Sequence, residues 1–313
     1  MIVRCLRFLS LDAIYDNKRA TAVVRNSDGT ELYIHIFRDL AVPNVGVIVE
    51  VRKKRGCSYR FHKMARSILR AAQGITENMA GRQRKLVSSN LARKKISSNL
   101  APCHFSVEHT MDLALESASS LLKKDRLDAN LLGLESLVFL TDAESTGSPK
   151  ALHASRAVLC EDVRPEGLKT SIKAFIQNDN RSHCQGAHED HCSAMMRSHA
   201  LAILANSIFC LSQNESELCT IVNDKEWISS DGFLGNLLEE IGHADTRPHD
   251  SYQAARCLNI IMSASSNFKE HAMKLGASNK LEMSYGVGNC RHALLASASK
   301  AALICMGAAD PRL

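Results

Sequence analysis

The feature that most constrains the fold is a series of long Ala- and Leu-rich segments with helical periodicity after Val107. Each segment closes a unit of two helices, and such a pair cannot cover its own apolar face, so successive pairs must stack. We predict four units of unequal length: Met111–Lys123 with Leu127–Thr141, Glu166–Gln177 with Met195–Ser212, Gly232–Gly242 with Ser251–Ser265, and Phe268–Leu275 with Arg291–Met306. The pattern predicts a mainly α protein in which residues 106–313 form an irregular α-solenoid.

These units resemble armadillo repeats, with HEAT repeats as the nearby alternative. The resemblance is carried by Leu131–Leu137, Ala200–Asn206, Ala254–Ile260, Leu294–Ala301 and Phe268–Ala277. It implies an armadillo-like groove that binds a protein or peptide, often through Asn side chains that hold the peptide backbone. Asn206 matches such an Asn, whereas Ser136 and Ile260 occupy the equivalent position in the first and third units. A regular series of Asn residues is therefore not expected, and the groove could bind a protein in another way.

Charge divides the chain into two parts. Residues 1–104 hold 20 Lys and Arg against 7 Asp and Glu, whereas the remaining residues hold 19 against 26. Within residues 52–100 the only acid is Glu77. Such a stretch is typical of a segment that binds a polyanion, which is nucleic acid, an anionic membrane surface or an acidic protein face. We therefore predict a basic module at 1–75 and a basic linker at 76–105 ahead of the helical repeats.

The basic module is predicted to be a small α+β unit. Asp28-Gly29 favours a hairpin, because glycine accepts the positive φ of the turn at no steric cost. The predicted elements are strands Ala22–Arg25, Glu31–Phe37 and Val47–Val51, a basic turn Arg52–Gly56, and a helix from Ser58 to about Ala72. This helix is amphipathic. Its basic face carries Arg60, Lys63, Arg66 and Arg70.

The junction of the third strand and this helix resembles the end of the kinase-associated phospholipid-binding domain. The resemblance covers about residues 20–75 and is carried by Val51, Arg52, Lys54, Arg55, Gly56, Ser58, Phe61, Ala65 and Ile68. It implies binding of acidic phospholipid. Carried over residue by residue, it assigns this role to Arg52, Lys53, Lys54, Arg55 and Lys63. The basic face of the helix adds Arg66 and Arg70 as anion-binding candidates.

A stretch rich in His and Cys lies between the helices of the second unit. Cys184, His188, His191 and Cys192 are residue types that zinc prefers as ligands. Their spacing matches no standard paired knuckle, so a solvated loop is the favoured interpretation and neither a metal nor a cofactor is predicted. Farther along, Gly286–Gly288 is predicted to shorten or break a helix.

These patterns predict a non-enzymatic adaptor, since the sequence holds no Ser elbow, no Walker pattern and no supported pair of carboxylates. The solenoid would hold a protein partner while the basic module binds an anionic surface. The alternative is a nucleic-acid-associated or nuclear protein that uses residues 52–100. Only Tyr59 and Phe61 could stack on bases there, and Phe61 is assigned to packing.

The expected location is cytoplasmic, at the membrane periphery, with a nuclear location as the alternative. Eleven scattered cysteines, an odd number, favour free thiols in a reducing compartment. No apolar run is expected to be long enough to span a bilayer.

Overall fold

The protein is mainly helical and carries a small sheet in its first part, as the sequence predicts, but the sheet has four strands rather than the three predicted. The computed structural model describes residues 1–39, 46–75, 107–160, 165–177 and 187–307. The first part comprises α1 (Ile2–Phe8), β1 (Asp12–Asp16), β2 (Thr21–Arg25), β3 (Glu31–Asp39), β4 (Gly46–Arg55) and α2 (Ser58–Ala72). The predicted linker, residues 76–105, lies outside the described residues.

The sheet is antiparallel, with the strand order β1-β2-β3-β4. The hairpin predicted at Asp28-Gly29 is confirmed, and Gly29 adopts a φ of 76°. β4 continues to Arg55, so the predicted basic turn at 52–56 is wrong except for Gly56. Charged side chains are tolerated in this part of β4 because it is an edge strand.

One face of the sheet packs against α1 and α2 and forms the core of the module. The buried apolar side chains of this core are Leu6, Leu11, Ala22, Val24, Leu32, Ile34, Met64 and Ile68. The opposite face carries a row of three rings, Tyr33, His35 and Phe37, whose successive centroids are 5.9 and 6.0 Å apart. The alternation of side chains along β3 therefore places its aliphatic residues inside and its aromatic residues outside.

The second part of the chain is entirely helical where it is described. Its helices are α3 (Val107–Leu122), α4 (Leu127–Thr141), α5 (Ala143–Thr146), α6 (Ser148–Leu159), α7 (Leu168–Gln177), α8 (Ala187–Leu211), α9 (Glu215–Val222), α10 (Lys225–Ile228), α11 (Phe233–Gly242), α12 (Pro248–Ala264), α13 (Ser266–Lys274), α14 (Ala277–Arg291) and α15 (Ala293–Met306).

Four of these helices, α4, α8, α12 and α15, pack side by side in chain order. Each also packs against a second helix of its own unit, which is α3, α7, α11 or α14 respectively. The helix pairs predicted for the first and third units are therefore confirmed to within four residues. In the second unit α8 begins at Ala187, eight residues before the predicted Met195, so part of the stretch predicted to be a loop is helical. The row of four helices, α4-α8-α12-α15, has one face against the core and leaves the other toward solvent.

The fourth unit differs from the prediction, because α14 runs through Gly286 and Gly288, where a helix break was expected. A Cβ atom at position 288 would collide with the backbone of Ala296 in α15. Gly288 is therefore needed for the close approach of two helices, and the intrinsic cost of glycine in a helix is outweighed by packing.

A single apolar core extends through the helical part. Trp227 is fully buried in it and its ring stacks on Phe233 with centroids 4.4 Å apart. The segment His191–Leu211 is long and apolar enough to cross a membrane, contrary to the expectation from sequence. Most of it is buried against other helices, as befits the central helix of a core. The nine described cysteines are all free thiols.

The basic module docks directly onto the helical part. The hydroxyl of Ser10 accepts a hydrogen bond from the backbone N–H of Leu294 at 3.0 Å, in the first turn of α15. Arg7 donates to the side-chain oxygen of Asn289 at 3.4 Å. Because Ser10 is buried and satisfies an N–H that the helix leaves without an internal partner, the module contributes a cap to the last helix.

Candidate anion-binding and partner-binding surfaces

The predicted anion-binding residues do not form one continuous surface. Lys63 and Arg66 are exposed on the outer face of α2, and neither makes an ion pair with another described residue. Arg70 lies on the same side of the helix. The ammonium of Lys53 donates to the hydroxyl of Ser58 at 2.8 Å, at the start of α2. These four cations therefore belong to the helix side of the module.

Arg52, Lys54 and Arg55 lie elsewhere, because a bulge in β4 leaves Lys54 without a Cα partner in β3. Lys54 and Arg55 both reach the carboxylate of Glu31, at 3.0 and 2.6 Å. Arg25 on β2 contacts the same carboxylate at 2.9 Å. Lys54 and Arg55 are thus held in ion pairs within the module, although one carboxylate offsets only one of the three positive charges and the cluster stays net positive. Exposed Arg52 has no acidic partner among the described residues.

Glu31 is only 1% exposed, and its ionisation depends on these cations. Burial alone would raise the pKa of this carboxyl group. Hydrogen bonds from Arg55 and Lys54 outweigh the burial, so the pKa is held below its usual range. Arg55 also lies 3.1 Å from the ring nitrogen Nδ1 of His191 on α8, which ties this cluster to the helical part.

Two further cations were missed by the sequence analysis. Arg4 on α1 and Arg38 on β3 are exposed, and neither has an ion pair with a described residue. Both lie far in sequence from the basic stretch after residue 52, and folding brings them to the side of the module that holds α2. In the sequence, each of these two arginines stands within an otherwise apolar element. A single basic residue of this kind says little about anion binding until the fold shows which residues lie beside it.

An apolar groove of about 590 Å³ opens between α1, the β3–β4 pair and the end of α2. Its lining residues are Met1, Ile2, Val3, Ile36, Val47, Val49, Leu69, Ala72 and Gln73, and none of their side chains is charged. Arg4, Arg38 and Arg66 each lie within three residues of a lining residue in their own element. The groove therefore has an apolar lining, with the three arginines close to it in the same elements.

Of the two aromatic residues considered for base stacking, only Tyr59 is available. Its side chain is 76% exposed at the start of α2. Phe61 packs against the core of the module, as predicted. A single exposed ring offers little base stacking, which weakens the case for single-stranded nucleic acid as the ligand.

The candidate partner-binding residues lie on the solvent side of the helix row. The amide oxygen of Asn206 accepts a hydrogen bond from Arg256 on α12 at 3.3 Å. The guanidinium of Arg256 also lies over the ring of Phe209, 5.2 Å from its centroid. The hydroxyl of Ser136 donates to the carbonyl oxygen of Leu132 in its own helix at 2.8 Å. Asn206 and Ser136 therefore already have intramolecular hydrogen bonds on this surface.

Large apolar side chains accompany them. Phe139 on α4 and Phe209 on the neighbouring α8 are both about half exposed, as are Leu132 and Ile304. Exposed rings on adjacent helices, with Arg256 stacked beside them, are typical of a protein-binding surface. Sequence reasoning missed Phe139 and Phe209 because both fit a helical apolar pattern.

The candidate metal ligands are only partly described. Cys184 and the side chain of His188 lie outside the described residues. His191 and Cys192 lie in the first turns of α8, so the predicted loop is wrong for this part of the stretch. His191 contacts Arg55, and Cys192 is half-buried. Within the described part of the chain, no cluster of three or more His, Cys, Asp or Glu side chains could hold a metal ion.

A chain of hydrogen bonds crosses the junction between module and helices. The backbone N–H of Leu295 donates to Nδ1 of His292 at 3.1 Å. Nε2 of His292 lies 3.0 Å from Nδ1 of His249, and Nε2 of His249 lies 3.3 Å from the carbonyl oxygen of Arg25. Since Nδ1 of His292 accepts, its proton is on Nε2 and each ring donates to the next acceptor. Both rings are neutral in this arrangement, which we term the histidine relay.

No family model, no curated protein and no solved structure matches this chain. The resemblances to armadillo repeats and to the phospholipid-binding domain therefore stay predictions.

Proposed function

We propose that the protein is a non-enzymatic adaptor whose basic module binds acidic phospholipid and whose helix row, an armadillo-like solenoid, binds a protein partner. The observation that carries the proposal is the set of exposed cations without acidic partners, Lys63, Arg66, Arg4 and Arg38, on the module's α2 side. The proposal locates the protein at the membrane periphery of a reducing compartment. The free thiols support that compartment.

The contribution of these cations to membrane affinity follows from their number. Each Lys or Arg near an anionic leaflet contributes about 1 kcal/mol, so three or four of them give a partition that depends on both lipid charge and salt. Lys54 and Arg55 are left out of this sum because both are held in ion pairs with the buried carboxylate of Glu31. The proposal therefore limits the predicted anion-binding residues to those on the α2 side of the module and adds Arg4 and Arg38 to them.

Charge reversal on α2 is expected to abolish most of the membrane binding. In the full-length protein, Lys63→Glu with Arg66→Glu should weaken cosedimentation with phosphatidylserine vesicles by about 1000-fold, because two attractive charges of about 1 kcal/mol each become equally repulsive. Wild-type protein should bind these vesicles and should not bind phosphatidylcholine vesicles.

The matched control is Lys123→Glu with Lys124→Glu, two exposed cations after α3 that change the net charge equally. Its binding should stay close to wild type. Equal binding of wild-type protein to charged and neutral vesicles would refute the phospholipid proposal. Tight, salt-dependent retention of RNA or duplex DNA in filter binding, without vesicle binding, would favour the nucleic-acid alternative.

The helix row is expected to lose its partner when its exposed aromatic surface is disrupted. Phe209→Asp removes the ring beside Arg256 and should eliminate at least one protein that co-purifies with the wild-type chain after crosslinking in cells. The matched control is Met283→Asp, an exposed apolar residue on α14. Identical sets of crosslinked proteins for both variants and wild type would contradict partner binding at this surface.

A further inference from the structure

We infer that one end of the basic module inserts into the acyl region of an anionic bilayer, with the apolar groove facing the lipid. The inference rests on the proposed phospholipid binding and deepens it, because electrostatic attraction alone requires no penetration. It is carried by a group of exposed apolar side chains that we term the apolar end, with exposed arginines close to it in the same elements. The apolar end comprises Met1, Val3, Ile36, Phe37, Val47, Ile48 and Leu69.

Where β3 approaches its end and β4 begins, apolar side chains lie on both faces of the sheet, and β3 itself closes with the charged residues Arg38 and Asp39. Phe37 pairs with Ile48 on one face, and Val47 lies on the other face opposite Arg38. Val47 is 58% exposed, and the other residues of the apolar end are also substantially exposed. A strand pair at the surface of a water-soluble unit usually turns one apolar face to the core and one polar face to solvent. Apolar exposure on both faces indicates that this end meets an apolar environment.

The groove adds to the same surface from the helix side. Met1 and Val3 of α1 and Leu69 of α2 line it together with Val47, so residues from three elements converge. Contiguous apolar exposure of this kind marks an interaction site rather than scattered surface residues. The convergence makes a bilayer a better fit than a narrow peptide channel, since the apolar residues extend beyond the groove to Phe37 and Ile48.

The charges identify the occupant as anionic lipid. Arg4, Arg38 and Arg66 stand close to residues of the apolar end in α1, β3 and α2 respectively, and none forms an ion pair with a described acidic residue. Arginine can lay its aliphatic stem along an apolar surface while the guanidinium contacts a phosphate. Membrane anchoring is strongest where apolar burial and attraction to anionic lipid act together.

Insertion is tested by placing a fluorescent reporter in the apolar end. Trp227 is the only tryptophan of the chain and is fully buried, so wild-type emission should not respond to vesicles. In full-length Val47→Trp, phosphatidylserine vesicles should shift the emission to the blue, and the same lipid with brominated acyl chains should quench it. Ile14→Trp is the control, because Ile14 is 56% exposed on β1, the opposite edge of the sheet.

A second pair of variants measures how much Val47 contributes to vesicle affinity, without changing the net charge of the protein. Val47→Asn should lower the partition into phosphatidylserine vesicles about tenfold, because one buried aliphatic side chain is lost from the bilayer. The loss should persist at about 0.5 M salt, where exposed charges are screened beyond roughly 5 Å. Ile14→Asn should bind like wild type. Circular dichroism melting of both variants would confirm that they fold.

The outcomes separate this inference from the proposed function. Vesicle binding by wild type without quenching of Val47→Trp, and with equal affinity of both Asn variants, would overturn insertion and leave phospholipid binding intact. Equal quenching by brominated phosphatidylcholine would overturn the requirement for anionic lipid. A complete lack of vesicle binding by wild type would overturn both.

Discussion

Acidification from about pH 7 to about pH 4 is expected to lower the free energy of unfolding by about 3 kcal/mol through His292 alone. His292 is 1% exposed, and burial, followed by the neighbouring His249, lowers its pKa to about 3. A protonated His292 could not accept the hydrogen bond from Leu295, so the relay would break.

The direction follows from the two pKa values. The unfolded chain binds a proton at His292 below about pH 6.5, whereas the folded protein does not do so until about pH 3. The contribution of His292 to stability is therefore complete above about pH 6.5 and falls by about 1.4 kcal/mol per pH unit down to about pH 3. His249 acts in the same direction, since burial also lowers its pKa.

The measurement is a series of urea denaturation curves at different pH values. His292→Asn keeps a residue that caps α15 and removes the titration, so its stability should fall less steeply between about pH 6 and pH 4. Parallel slopes for wild type and His292→Asn would show that the relay does not titrate as proposed.

The second large effect is expected at a buried ion network beside the junction. Arg197 on α8 lies 3.8 Å from the carboxylate of Glu240 and 3.5 Å from that of Asp250. All three side chains are more than nine-tenths buried. Arg197→Met preserves volume but leaves two buried carboxylates with less compensation, and it should lower the free energy of unfolding by about 3–5 kcal/mol.

Two further variants test whether the loss of stability in Arg197→Met comes from the lost charge. Arg197→Met with Asp250→Asn should recover part of the loss, because Glu240 keeps Arg247 at 3.4 Å. Arg256→Met removes a half-buried arginine whose hydrogen-bond partner is the neutral Asn206, so it should cost only about 1 kcal/mol. Equal destabilisation by Arg197→Met and Arg256→Met would argue against a charge effect.

The positions of Arg197 and the histidine relay show how the two parts of the chain are joined. Arg25, Arg197, His249 and Asp250 line one cavity of about 140 Å³ between the β2–β3 hairpin and helices α8 and α12. The module is thus held by polar and charged contacts, with Met195 packed close to Gly29. Acid should weaken this junction together with the relay.

Local patterns were sufficient wherever a residue's nearest sequence neighbours determine its structure. The turn at Asp28-Gly29, the amphipathic helix α2 and the paired helices of the first three units were all predicted, since turn chemistry and apolar periodicity are short-range properties. The edge strand through Arg52–Arg55 was mistaken for a turn, because its basic residues are poor strand formers that only an edge position tolerates.

The sequence by itself determined the mainly α class, the small sheet and the division of charge between the two parts. The tertiary structure decided which cations form ion pairs with a buried acid. Glu31 lies more than 20 residues from Lys54 and Arg55, and only the bulged pairing of β3 with β4 brings them together. The tertiary structure also decided which apolar side chains are exposed. Periodicity in the sequence predicts that one face of a helix or strand is apolar, but it does not show whether another element covers that face.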